Sequence, residues 1–218
     1  MRRFKEYTVN QYLELLKNMK IDREIKEIHL HHTWRPDKKG YEKASNKESV
    51  IYSIYKFHTE SNGWDDIGQH ISLTPSGTVW DGRDVNMDPA SIKGRNKNAL
   101  AIEMIGNFDD GYDKLEGVQL ESLVKLLKGL FNIFEGVKLI FHREYSKKTC
   151  PGTSIKKEEL LDMVNEKQYP KEISEWAKDA YEWVVREKIS DGSDPKGSVT
   201  REELWTMLYR YHQKQYGK

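Results

Sequence analysis

The chain has 218 residues, 37% of them hydrophobic, 11% aromatic and 33% charged, with 36 Lys and Arg against 35 Asp and Glu. This length accommodates one ordinary domain of about 100–150 residues plus a small one, and the composition is that of a packed globular chain. The near balance of charge excludes the basic surplus that drives phosphate binding, so no nucleic-acid partner is expected, and no window approaches the ~20 consecutive apolar residues of a membrane span.

The opening stretch, MRRFKEYTVNQYLELLKNMK, starts basic, but Glu6, Asn10, Glu14 and Lys17 interrupt its apolar residues. No signal peptide is expected, so synthesis is placed in the cytoplasm, and action elsewhere would require separate release. Thr8 is positioned to cap a helix whose apolar residues Val9, Tyr12, Leu13, Leu15, Leu16 and Met19 recur at helical spacing. In EIKEIHLHHT the alternation of a strand puts Ile28, Leu30 and His32 on one face and His29, His31 and Thr33 on the other. Residues 46–59 predict a helix with Val50, Ile54 and Phe57 on its buried stripe, and DIGQHISLTPSGTVWDGRD predicts two strands joined at a Pro-Ser-Gly turn.

NALAIEMIGNF predicts a buried strand in which Leu100, Ile102 and Met104 face one layer while Ala99, Ala101, Glu103 and Ile105 face the other. A carboxylate in such a strand is costly unless it meets a cation, a metal-bound water or a hydrogen-bond donor, although an ion pair with one of the many lysines would also satisfy it. A long amphipathic helix over 115–134 precedes a short strand, VKLIFH, which delivers His142, and a helix near 155–166 closes the unit. Strands alternating with helices predict an α/β fold with a central mixed β-sheet flanked by helices. Pro170 breaks the chain after a polar run, so a linker is placed at about 167–172, dividing a catalytic domain, 1–168, from a small carboxy-terminal helical hairpin, 169–218.

Cys150 is the sole cysteine and so has no intrachain disulfide partner; it is an inert buried residue, a nucleophile or a metal ligand. Catalytic zinc needs three protein ligands and one open position, and two imidazoles with a thiolate suit the ion. His31, His142 and Cys150 could supply that set, with His29 and His32 competing for the strand position. Lys148, two residues before the cysteine, could offset an oxyanion, or be a solvated loop lysine.

Taken in order, HHT, GWDDIGQHISLTPSGTVWDGRD, AIEMIGNFD and HREYSKKTCPG resemble the type 2 N-acetylmuramoyl-L-alanine amidases over residues ~25–165. That family shares its fold with peptidoglycan recognition proteins and includes many phage endolysins. The resemblance implies a zinc-dependent hydrolase of bacterial peptidoglycan, an endolysin or autolysin. Such an enzyme cleaves the amide between the muramic acid lactyl group and L-alanine. It selects His31, with His142 and Cys150, as zinc ligands, and maps a catalytic lysine and glutamate to Lys148 and Glu103. Gln69 stands where many relatives have tyrosine, which shifts the base role toward Glu103. Gln69, His70, His58, Trp64 and Arg83 are the expected substrate-groove residues. The tail, with its aromatic first helix, Asp-Gly loop and VTREEL, resembles an S-layer-homology repeat, which implies binding to a secondary cell-wall polymer or homo-oligomerisation. Two competing functions are a non-catalytic peptidoglycan-binding module of the same fold and a cysteine hydrolase pairing Cys150 with His142.

Overall fold

The computed structural model describes residues 4–166 and 173–217, so the linker expected at 167–172 lies outside the described residues. The chain divides into two compact units, Met1–Asn165 and Glu166–Lys218. Among the described residues no helix is long and apolar enough to cross a membrane.

The first unit contains a six-stranded mixed sheet among its described residues. In chain order its elements are β1 (Glu6–Tyr7), α1 (Val9–Asn18), β2 (Glu27–His32), α2 (Lys38–Lys43), α3 (Lys47–Lys56), β3 (Ile71–Leu73), β4 (Val79–Asp81), β5 (Ala99–Met104), α4 (Gly117–Ile133), β6 (Lys138–Phe141) and α5 (Lys157–Asn165). The strand order is β1-β4-β3-β5-β2-β6. β3, β5, β2 and β6 run parallel to one another, while β4 is antiparallel to both β3 and β1. The α/β class and the mixed sheet are as the sequence predicts.

The expected capping of α1 is present as a capping box, in which Thr8 and Gln11 satisfy each other's backbone N–H. One sheet face, built from Ile28, Leu30, Leu100, Ile102, Met104, Leu139 and Phe141, is covered by Tyr12 and Leu16 of α1, Leu123, Leu127 and Leu130 of α4, and Leu160 of α5. A second cluster on the other side gathers Tyr41, Ile51, Ile54, Ile67, Trp80 and Ile105. The stripe of α3 differs from expectation. Ile51, Ile54 and His58 are buried, Val50 is partly buried against the second cluster, and Phe57, at the start of a π-helical turn, Phe57–Ser61, is exposed. The two-residue β1 and the short α2 leave no periodic pattern in the sequence.

The second unit pairs α6 (Lys178–Arg186) with α7 (Arg201–Tyr216), the latter opened by a capping box from Thr200 and Glu203. Ile189 is buried, Trp183 meets Tyr211 edge-on at 5.8 Å, and Lys214 pairs with Glu187 at 2.8 Å. Trp176 and Trp205 stay 86% and 61% exposed, so neither belongs to the core of this unit.

Leu30 is fully buried between its register partners Ile102 and Phe141. Leu30→Ala should cost about 2–5 kcal/mol, read as a lower urea midpoint at unchanged slope; an unaltered midpoint would contradict this placement of the core.

Candidate metal centre

Three parallel neighbours, β5, β2 and β6, end side by side, and ligands gather at the carboxyl ends of such strands. His31 and Glu103 are paired residues near the ends of β2 and β5, and His142 follows the last residue of β6. The alternation that sends Leu30 and Ile102 into the core sends His31 and Glu103 to the opposite face.

Cys150 arrives on the loop after β6, and that loop is tied down from several directions. The Arg143 N–H donates to the Cys150 carbonyl at 2.7 Å, and the Arg143 guanidinium reaches the carbonyls of Gly152 and Ile155. Asp109 accepts from Thr149 Oγ1 at 3.0 Å and from the Thr153 N–H at 3.1 Å. Gly152 adopts φ 124° with the Phe108 backbone pressed against it, so a side chain has neither space nor the conformation there.

The ligand atoms of His31, His142 and Cys150 all lie within 4.8 Å of one another, a spacing that could hold one metal ion. The Cys150 thiol is 3.5 Å from His31 Nδ1 and accepts the His32 N–H at 3.4 Å, while His31 and His142 meet at ring centroids 4.7 Å apart. Two buried atoms beside them, His31 Nε2 and Glu103 Oε2, have no hydrogen-bond partner among the described residues. A donor set of two imidazoles and a thiol with orphaned buried atoms beside it fits a borderline-soft divalent cation.

The electrostatics point the same way. Burial, reinforced by His142, holds His31 well below the ordinary histidine range, and burial with the nearby Lys148 charge lowers His142 to about 4. Both imidazoles are therefore neutral, as metal ligation requires. Burial pushes the Cys150 thiol up to about 12, so without a cation it is protonated and a poor nucleophile, which weighs against the cysteine-hydrolase alternative. Glu103 is only partly covered as a residue, yet burial of its carboxyl raises it to about 7.

His29 shares the face of His31, but its Nδ1 contacts Ser91 Oγ at 2.6 Å and its Nε2 contacts Glu27 at 3.0 Å, with Arg95 also on Glu27. His32 points the other way and accepts the Phe108 N–H at 3.1 Å. Neither joins the group of His31, His142 and Cys150, whose ligand atoms lie within 4.8 Å of one another.

A cleft of about 550 Å³ is lined by His31, Glu103, His142, Lys148 and Cys150 together with Gln69, His58 and Trp64. Gln69 donates from Nε2 to Ser72 Oγ at 2.9 Å, and Ser72 is the register partner of Glu103. His58 stacks on Trp64 at 4.7 Å and accepts the Gly68 N–H at 3.1 Å.

His70 and Arg83, expected in the groove, have different work. His70 is fully buried, accepts the Ala101 N–H at 2.9 Å and places Nε2 2.9 Å from the Met87 carbonyl; burial lowers it to about 3. Arg83 donates to the carbonyls of Ile67, Asp88 and Asp66. Both satisfy backbone groups and neither lines the cleft. Conversely, sequence reasoning assigned no role to Asp109, although it closes the AIEMIGNFD stretch, passed over the cleft residues Trp34 and Asn62, and placed Phe57, which also lines the cleft, on a buried stripe.

A family model described as N-acetylmuramoyl-L-alanine amidase matches residues 21–153. The chain is 34% identical over 110 residues to the endolysin of Escherichia phage T7, an alignment covering 49% of this chain and 72% of that protein. It is 32% identical over 110 residues to peptidoglycan-recognition protein SC1a of Drosophila melanogaster, covering 49% of this chain and 58% of the relative. Among solved structures, the endolysin amidase LysCS from Clostridium intestinale superposes with a TM-score of 0.53 at 26% identity, over 66% of this chain and 86% of that one.

The raised Glu103 carboxyl has a pH signature. Below pH 4.5 it is protonated whether the chain is folded or not; between 4.5 and about 7 the unfolded chain gives up its proton first, so stability falls as pH rises. In metal-free protein, Glu103→Gln removes this loss, and its stability relative to wild type should rise by roughly 2–3 kcal/mol between pH 4 and pH 8. Urea unfolding in chelator at the two pH values measures it; a pH-independent difference would contradict the assignment.

Proposed function

The chain belongs to the N-acetylmuramoyl-L-alanine amidase family, and on that premise we propose that it is a zinc-dependent peptidoglycan hydrolase, cleaving the amide between the muramic acid lactyl group and L-alanine of the stem peptide. The convergence of His31, His142 and Cys150 on one point of the cleft, with Glu103 beside them, carries this reading. Zinc held by those three residues would polarise the scissile carbonyl and acidify water, leaving a position open for substrate.

The chain's own groups complete the chemistry. Glu103, whose carboxyl lies beside the ligand candidates, takes the proton of the attacking water as oxygen bonds to the carbonyl carbon, then delivers it to the alanine nitrogen as the C–N bond breaks. The Lys148 ammonium offsets the negative charge on the carbonyl oxygen. Gln69, fixed by Ser72 beside Glu103, presents its carboxamide to the substrate where many relatives place a tyrosine. The stacked His58 and Trp64 form part of the wall along which substrate lies.

Peptidoglycan-recognition relatives support a second reading, a wall-binding module that does not cut. Isolated walls separate the two. The enzyme releases amino groups but no reducing ends, whereas the recognition module binds walls and releases neither. Purified protein should carry about one zinc, and chelation should stop amine release. Cys150→Ala should lose both metal and activity, while Glu103→Gln should keep its metal and turn over about 10²–10⁴-fold more slowly. Full activity in metal-free protein would rule this mechanism out.

The carboxy-terminal hairpin is proposed to be an S-layer-homology-like module that binds a secondary wall polymer, a reading supported by the exposed Trp176 and Trp205. Trp176→Ala with Trp205→Ala should weaken co-sedimentation with isolated walls without unfolding the protein. Undiminished co-sedimentation would remove these rings from wall binding.

A further inference from the structure

His142 and Cys150 arrive on the loop after β6, whereas His31 arrives on β2. The register of β2 with β6 runs from Glu27 and Lys138 to Leu30 and Phe141, and His142 is the next residue. Past that point side chains must relate the turn that begins at His142 to the strand that carries His31.

Arg95 spans the two. Its Nε donates to Glu27 Oε2 at 3.2 Å and its Nη2 reaches Glu27 Oε1, a two-pronged grip on the first residue of β2. The same guanidinium lies 4.1 Å from the centroid of the Tyr145 ring. Arginine suits both contacts, because its flat, delocalised cation forks onto a carboxylate through its edge and stacks on an aromatic ring through its face. Tyr145 in turn closes the His142 turn. Its N–H donates to the His142 carbonyl at 3.1 Å, and Ser146 Oγ donates to that carbonyl at 3.1 Å.

Both ends of this brace are themselves fixed. His29 Nε2 contacts the Glu27 carboxylate at 3.0 Å. The Arg95 N–H donates to the Ile92 carbonyl at 2.9 Å, and Asn96 Oδ1 accepts the N–H groups of Ser91 and Ile92 at 3.0 and 2.9 Å. Beside Tyr145, Glu144 pairs with Lys157 of α5 at 2.7 Å. Tyr145 is 50% exposed, so core packing does not account for where its ring lies, whereas the Arg95 stack does.

We infer that Arg95 and Tyr145 are positioning residues, a clamp that holds the His142 turn against the strand of His31 and slows the departure of a bound cation. This rests on the proposed zinc site. Groups that orient ligands from behind change metal affinity about 10–100-fold, and a brace one contact further from the ligand belongs at the lower end of that range.

The test follows zinc transfer from full-length, zinc-loaded protein to a chromogenic chelator. Tyr145→Ala and Arg95→Ala should each release zinc about tenfold faster than wild type, while Tyr145→Phe, which keeps the ring, should release it at the wild-type rate. The double alanine variant should be no faster than the faster single one, because the two side chains share one contact. Metal-free Tyr145→Ala should melt close to wild type, since it truncates a half-exposed ring, and this separates the clamp from a general loosening of the fold. Wild-type release in Tyr145→Ala, or rate increases that multiply in the double variant, overturns the inference. Amine release from walls is scored separately. Ring-dependent zinc release without amine release keeps the clamp and removes the hydrolase. Amine release with ring-independent zinc release does the reverse, and a wild-type chain that takes up no zinc removes both.

Discussion

Burial without a partner is the constraint that organises the first unit. His31 Nε2 and Glu103 Oε2 are sealed from solvent and meet no donor or acceptor among the described residues, and each such group costs about 1–3 kcal/mol. The cost is incurred where β5, β2 and β6 end together and where His142 and Cys150 close in. Everything around these atoms holds them in place. Arg143 and Asp109 fix the Cys150 loop, and the His32 N–H caps the thiol. A cation shared by His31, His142 and Cys150 would satisfy the ligand atoms.

Pleating lets one strand serve two purposes. Leu30 anchors the core through Ile102 and Phe141, while its neighbours His29 and His31 face the other way. His29 is engaged by Ser91 and Glu27, while His31 stands with His142 and Cys150. The same economy of position appears at the strand ends, where the turn after β2 and the turn after α3 each hold an aromatic ring over the cleft that the strands floor.

Much of this was legible in the residues because a period of two is strict. The faces of β2 and β5, the anomaly of Glu103 and the arrival of His142 at a strand end all follow from alternation. What alternation does not encode is the partner from afar. The choice of His31 over His29 depends on Ser91, 62 residues away, and the removal of His70 and Arg83 from the groove depends on carbonyls and N–H groups of distant loops. On α3 the buried residues Ile51, Ile54 and His58 keep the ordinary i, i+3, i+7 spacing of a helix, one residue further round than the expected Val50 and Phe57, a choice that periodicity alone does not make. The tail's helices were visible, but which of its tryptophans pack was not, since an isolated hairpin has too little interior to bury them.

One ion shared by three side chains is the arrangement on which the mechanism stands, and X-ray absorption at the zinc edge addresses it without reference to activity. Zinc-loaded protein should show one sulfur neighbour at about 2.3 Å with nitrogen or oxygen neighbours near 2.0–2.1 Å. A shell of light atoms alone, with no sulfur, would place the metal away from Cys150 and contradict the site.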